Sequence, residues 1–123
     1  MVTDPAQLEQ LSTVWIGAAR IAQAPAAIAL VVPEPSDETA SLIDQFDLGQ
    51  AMAAMTIAAA DPGIGTGHSA VGDQDKAREL LGVPQGYRVC YLLGIGYLAD
   101  RELRPIAKPD RRPFTEVTHR GRW

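Results

Sequence analysis

The chain has 123 residues, 46% of them hydrophobic and 21% charged, with a formal net charge of −4. This is the make-up of one soluble globular domain, long enough for a core and too short for two, and it excludes a disordered chain. One cysteine, Cys90, excludes an internal disulfide; no close His/Cys cluster offers a structural zinc site, and the longest apolar run is too short to cross a bilayer.

In chain order, residues 1–11 (MVTDPAQLEQL) lack a basic stretch followed by an apolar run, so no secretory leader is expected and cytoplasm is the expected location. Thr3 or Asp4, with Pro5 in the first turn, opens a helix, because proline fits where the amide has no intrahelical partner. Leu8, Leu11, Val14, Trp15, Ala18 and Ala19 recur at steps of three and four, which carries the helix to about residue 21 before Pro25 ends it. Residues 26–32 (AAIALVV) read as a buried strand.

After a loop containing Pro33 and Pro35, Ser36 with Glu38 and Thr39 starts a second helix, expected to break near Asp44 and resume through Ala60. Residues 49–60 are almost uncharged and small or apolar on every side, so this stretch predicts a buried helix. Residues 62–69 (PGIGTGHS) then carry three glycines, which let the backbone turn and approach something flat; the plain alternative is an ordinary helix-to-strand connection. A second strand is expected over residues 65–71, and a short amphipathic helix over residues 73–81, stopped by Gly82 and Pro84. Residues 88–97 (RVCYLLGIGY) make a third strand, with Cys90 as a core thiol and Gly94 and Gly96 allowing a bulge or a close backbone approach. From residue 99 on, Pro105, Pro109 and Pro113 forbid long regular structure, leaving an extended tail with one helical turn at residues 114–117.

Charge is divided along the chain. Residues 101–123 hold seven Arg or Lys against three acids, whereas the first hundred hold four against twelve. The tail is therefore expected to meet an anion or an acidic surface. Nucleic acid is a poor partner, because the tail lacks interleaved aromatics and the acidic body repels phosphates. Several elements are apolar on more sides than so short a chain covers, which predicts a partner subunit.

The run FDLGQAMAAMTIAAADPGIGTGHSAVGDQDKARELLGVPQGYRVCYLLGIGY, followed by KPDRRPFTEVTHRGRW, resembles the C-terminal half of a flavin-dependent nitroreductase. The upstream AARIAQAPAAIALVV is similar to the helix, Ala-Pro and strand that precede these elements in that family, so the resemblance covers residues 18–123. It implies an α+β fold: a nitroreductase-like three-layer arrangement, truncated, with a mixed or antiparallel sheet flanked by helices and built as an intertwined homodimer. Residues 1–123 would form one partial domain, with residues 99–123 as an extended basic carboxyl-terminal arm. The family opens with an Arg- and Ser-rich flavin-binding segment, whereas residues 1–23 contain one base, Arg20.

The resemblance further implies FMN at the subunit interface, hydride uptake from NAD(P)H, and electron transfer to nitroaromatic or quinone-like acceptors, with no nucleic-acid or membrane partner. Carried over by position, Gly67, His68, Ser69, Ala70 and Val71 match the segment passing the flavin ring, mainly through main-chain groups. Arg111, with Lys108 or Arg112, matches the basic pair that grips the FMN phosphate; guanidinium forks suit that task. No catalytic side chain is implied, because the cofactor carries the redox chemistry. Plainer readings stand beside these: His68 as a surface turn residue, Arg111 and Arg112 as solvated or paired with Glu116 and Asp110, and His119 as a helix-end cation. Two other functions remain open: a non-catalytic relative acting as a dimerisation or regulatory module, and an anion-binding module without redox chemistry.

Overall fold

The computed structural model describes residues 1–98 and 107–123. Asp4 caps the first helix, α1 (Pro5–Leu11), by accepting from the Gln7 amide at 2.8 Å, with Pro5 in the first turn. The helix does not run on to residue 21. The Ser12 and Thr13 hydroxyls donate to the carbonyls of Glu9 and Gln10, each at 2.7 Å, drawing the backbone out of the α-helical pattern. Trp15 is fully extended, and the chain resumes as a 3-10 helix over Ile16–Gln23.

Three strands follow: β1 (Ala26–Pro33), β2 (Ile64–Ala70) and β3 (Tyr87–Tyr97), in the order β1-β3-β2, both pairings antiparallel. β3 contains one extra residue: Leu30 pairs with Tyr91 but Val31 pairs with Val89, so Cys90 bulges. A strand alternates its faces with a period of two, so the extra residue reverses the parity. Val89 and Leu92 therefore enter one core with Leu8, Leu11, Val14, Ala18, Ile21 and Ala77, beneath α1, the 3-10 helix and α3 (Gln74–Leu81). Tyr91, Leu93 and Ile95 enter the other core, with Leu30, Leu48 and Met52, beneath α2 (Glu38–Ala60). The result is helix, sheet and helix in three layers. α3 is closed at both ends as expected, Asp73 accepting from the Lys76 amide at 3.0 Å and Gly82 taking φ 65° at the exit.

Two expectations for α2 fail. The helix is continuous through Asp44, whose carboxylate accepts from Arg88 Nη2 at 3.3 Å across the sheet face and so sits comfortably mid-helix. It is also not buried all round: only Leu48 and Met52 are buried, while Leu42, Ile43, Phe46 and Ile57 are exposed. One sheet face can cover one stripe of a helix, and the rest of this apolar surface has no partner within the described residues.

Apart from the half-buried Thr118, the carboxyl-terminal arm is exposed over residues 107–123, with one helical turn, α4 (Phe114–Val117), as expected. His119 and Trp123 stack at 4.1 Å between ring centroids. The expected extended stretch from residue 99, including Arg101 and Arg104, lies partly outside the described residues.

Candidate functional site

The glycine-rich segment becomes β2, an edge strand of the sheet among the described residues, with β3 on one side and no described strand on the other. Edge strands present a row of unpaired main-chain groups. Residues facing each other across an antiparallel ladder project to the same side, so the register with β3 assigns every side chain of β2. Thr66 and His68 pair with Ile95 and Leu93 and project toward α2. Gly65, Gly67 and Ser69 pair with Gly96, Gly94 and Leu92 and project toward the 3-10 helix.

On the α2 side lies a hollow of about 520 Å³, lined by Gly49, Met52, Ala53, Thr56, Ile57, His68 and Tyr91. Its walls are apolar apart from the Thr56 hydroxyl, the His68 ring and Tyr91, whose hydroxyl donates to Gln45 Oε1 at 2.8 Å. A hydroxyl contact of 3.5 Å between Thr66 and Thr56 ties β2 to α2 at its rim. The small residues Gly49 and Ala53 give the hollow its width. An apolar recess with a few polar groups beside an open main-chain edge suits a planar aromatic ligand.

The opposite face carries a smaller trough of about 280 Å³, lined by Arg20, Gln23 and Pro25 and by Gly65, Gly67, Gly94 and Gly96. Gly96 serves the close approach expected of it: a Cβ there would stand 2.5 Å from Pro25 Cδ. The bulge lies at Cys90 instead.

Of the residues singled out in the sequence, Gly67, His68, Ser69, Ala70 and Val71 are brought together at the end of β2. They do not contribute alike. Only His68 turns its side chain into the α2-side hollow. Ser69 is buried and its hydroxyl donates to the Ala70 carbonyl at 2.8 Å, so it offers only main-chain groups. Val71 packs its side chain against the core under α3. Lys108, Arg111 and Arg112 are exposed on the arm; among the described residues no carboxylate pairs with them, and neither hollow includes them.

Tyr91 and Thr56 were not singled out in the sequence. Tyr91 sits inside an apolar run that reads as core; it shares the α2 side with Leu93 and Ile95 by alternation, and the bulge at Cys90 is why Val89, two residues earlier, faces the other way. Burial raises the Cys90 thiol above the ordinary 9.0, Arg88 opposes, and Asp44 and Glu34 push the same way as burial, which disfavours the thiolate. Among the described residues no cluster of His, Cys, Asp or Glu could hold a metal, and no helix is long and apolar enough to cross a membrane.

A model of the Nitroreductase family matches residues 2–97. Among solved structures, the chain is similar to an FMN-dependent nitroreductase from Clostridium difficile, at 22% identity and TM-score 0.79, over 99% of this chain and 73% of that one. It is similar to NfrA2 of B. megaterium, at 25% identity and TM-score 0.77, over 99% of this chain and 55% of the other. An NADPH:FMN oxidoreductase from Vibrio harveyi, solved with NAD+, matches at 20% identity and TM-score 0.77, over 99% of this chain and 57% of its own. The chain thus spans between about half and three quarters of the length of these structures. No curated protein sequence matches it.

Proposed function

The chain belongs to the nitroreductase family, and on that premise we propose that it is an FMN-dependent oxidoreductase carrying electrons from NAD(P)H to a small nitroaromatic or quinone-like acceptor. The observation that carries this reading is the open main-chain edge of β2 beside an apolar hollow of about 520 Å³. Those features fit the ring system of a flavin, which needs a flat apolar berth and directional main-chain groups along one edge. Bound there, FMN would supply the hydride-accepting chemistry.

The chain's own residues would hold and orient the cofactor. The main chain of residues 67–71 borders the ring, His68 and Tyr91 supply the polar groups of the berth, and Met52 and Ile57 keep water from its apolar side. Lys108, Arg111 and Arg112 would meet the phosphate, their charge not neutralised by any described carboxylate. A second copy of the chain would cover the exposed side of α2, where Leu42, Phe46 and Ile57 stand in water. This second copy would also close the cofactor site, since the described part of the arm, residues 107–123, lines neither hollow of its own chain.

Purification followed by analysis of released cofactor, with a sizing measurement, tests the reading. A yellow dimer that consumes NAD(P)H when a quinone is added supports it; a colourless protein refutes it. Arg111→Ala should weaken FMN retention about tenfold or more, the loss of one charge-assisted contact. Unchanged retention removes the phosphate assignment.

A second reading keeps the assembly and drops the chemistry: a dimerisation or regulatory module. Its support is the exposed apolar side of α2, which an assembly would cover whether or not a cofactor is bound. It predicts colourless protein that still self-associates.

A further inference from the structure

Beyond Ala70, which pairs with Tyr91, the β2–β3 register would set Gly72 opposite Val89. The chain declines that pairing. The Gly72 amide turns away and donates to the Val14 carbonyl at 3.1 Å, and the Asp73 amide donates to the same oxygen at 2.9 Å. Val89 would be left with an unsatisfied amide and carbonyl in a buried strand, which is costly.

The Gln74 side chain takes the missing rung. Its Oε1 accepts from the Val89 amide at 3.0 Å, and its Nε2 donates to the Val89 carbonyl at 2.8 Å. The second Nε2 proton goes to the Val71 carbonyl at 3.2 Å. One acceptor faces a donor and both donors face acceptors, so the amide orientation is fixed by its partners. A side-chain amide thus imitates a peptide group, grips β3, and holds Val71 at the point where it leaves the sheet.

We infer that Gln74 is a positioning residue for the flavin-facing main chain. By clamping the Val71 carbonyl to β3, it sets the height and tilt of the edge formed by Ser69, Ala70 and Val71. This role rests on the proposed flavin reading of that edge. Gln74 itself touches neither hollow.

Gln74→Glu tests it with little change in shape. The carboxylate still accepts from the Val89 amide but turns charge toward the carbonyls of Val71 and Val89. Protonation returns one donor, and a carboxyl so placed titrates above its ordinary range. FMN affinity, read by fluorescence titration, should fall about tenfold relative to wild type at about pH 8 and recover most of that loss at about pH 5. The visible spectrum of saturated Gln74→Glu should differ from wild type at the higher pH, which mere loss of folded protein would not produce. Gln74→Met, of similar length and without hydrogen bonds, should weaken FMN equally at both pH values, and serves if Gln74→Glu fails to fold. Wild type that holds FMN while the folded variants hold it equally well, with the same spectrum, overturns the Gln74 role alone. Wild type that holds no FMN overturns the flavin reading and this role with it.

Discussion

Gly96→Ala and Gly67→Ala add the same methyl group to neighbouring strands and should move stability in opposite directions. At Gly96 the new Cβ would stand 2.5 Å from Pro25 Cδ and 2.6 Å from Cγ. A proline ring cannot rotate aside, so the strand or the Ala24–Pro25 link must shift; overpacking of this kind costs about 2 kcal/mol. At Gly67 nothing lies within 4 Å of the added carbon, and the backbone there is not left-handed. Alanine then removes freedom from the unfolded chain and stabilises by about 0.5 kcal/mol. For a domain of this size about 1 kcal/mol moves the melting temperature by about 4 °C. Gly96→Ala should therefore melt about 8 °C lower and Gly67→Ala about 2 °C higher, by calorimetry or circular dichroism at matched protein concentration. Equal melting temperatures, or shifts of the same sign, would refute the assignment of the glycine pairs to a crowded and an open site.

Phe46→Glu with Ile57→Glu should convert the assembled protein to monomer on a sizing column while leaving its circular dichroism intact, because both side chains are exposed in the single chain. An unchanged elution volume would remove α2 from the interface. Asp37 is held below the ordinary carboxylate value of 3.8, chiefly by the hydrogen bond from the Ala40 amide. Its contribution is present above that value and is lost as pH falls through the lower folded one, because the unfolded chain takes up the proton first. Asp37→Asn keeps the cap, so acid unfolding should become less steep while stability near neutrality changes little; identical acid profiles would contradict this. Cys90, with its thiol raised by burial, should react with iodoacetamide more than about tenfold faster in urea than in the folded protein near pH 8. Equal rates would place the thiol at the surface.

Much of the fold is legible because its signals are local. Asp73 and Gly82 bracket α3, two short apolar runs fall on β1 and β3, and the glycine-punctuated stretch expected over residues 65–71 becomes β2, Ile64–Ala70. What is not legible depends on distant partners. The apolar spacing that carried α1 onward to residue 21 is genuine, since Val14, Ala18 and Ile21 are all buried, but it reaches the core through an extended Trp15 and a 3-10 helix. Asp44 looks like a helix interruption until Arg88, 44 residues away, is seen to pair with it. The even apolarity of α2 gives no sign of which stripe meets the sheet. At the site, alternation within residues 67–71 was readable, but which residues face the hollow follows from the register with β3. Hence His68 lines it and Ser69 turns inward. Gln74 gave no signal at all: in the sequence it is one more polar residue at the start of a helix.

The extra residue in β3 has a consequence for how this strand can vary. Upstream of Cys90 its side chains answer to one frame, downstream to the other, much as a nucleotide insertion shifts a coding message. Deleting Cys90 would close the bulge without turning any other side chain over, because Cys90 and Tyr91 both lie on the α2 side: Arg88 would stay beside Asp44, Val89 beneath α3 and Tyr91 beneath α2. Position 90 is thus the one place where the strand can lose a residue and keep its two faces; a deletion among Leu92–Ile95 would turn one flank of the strand inside out.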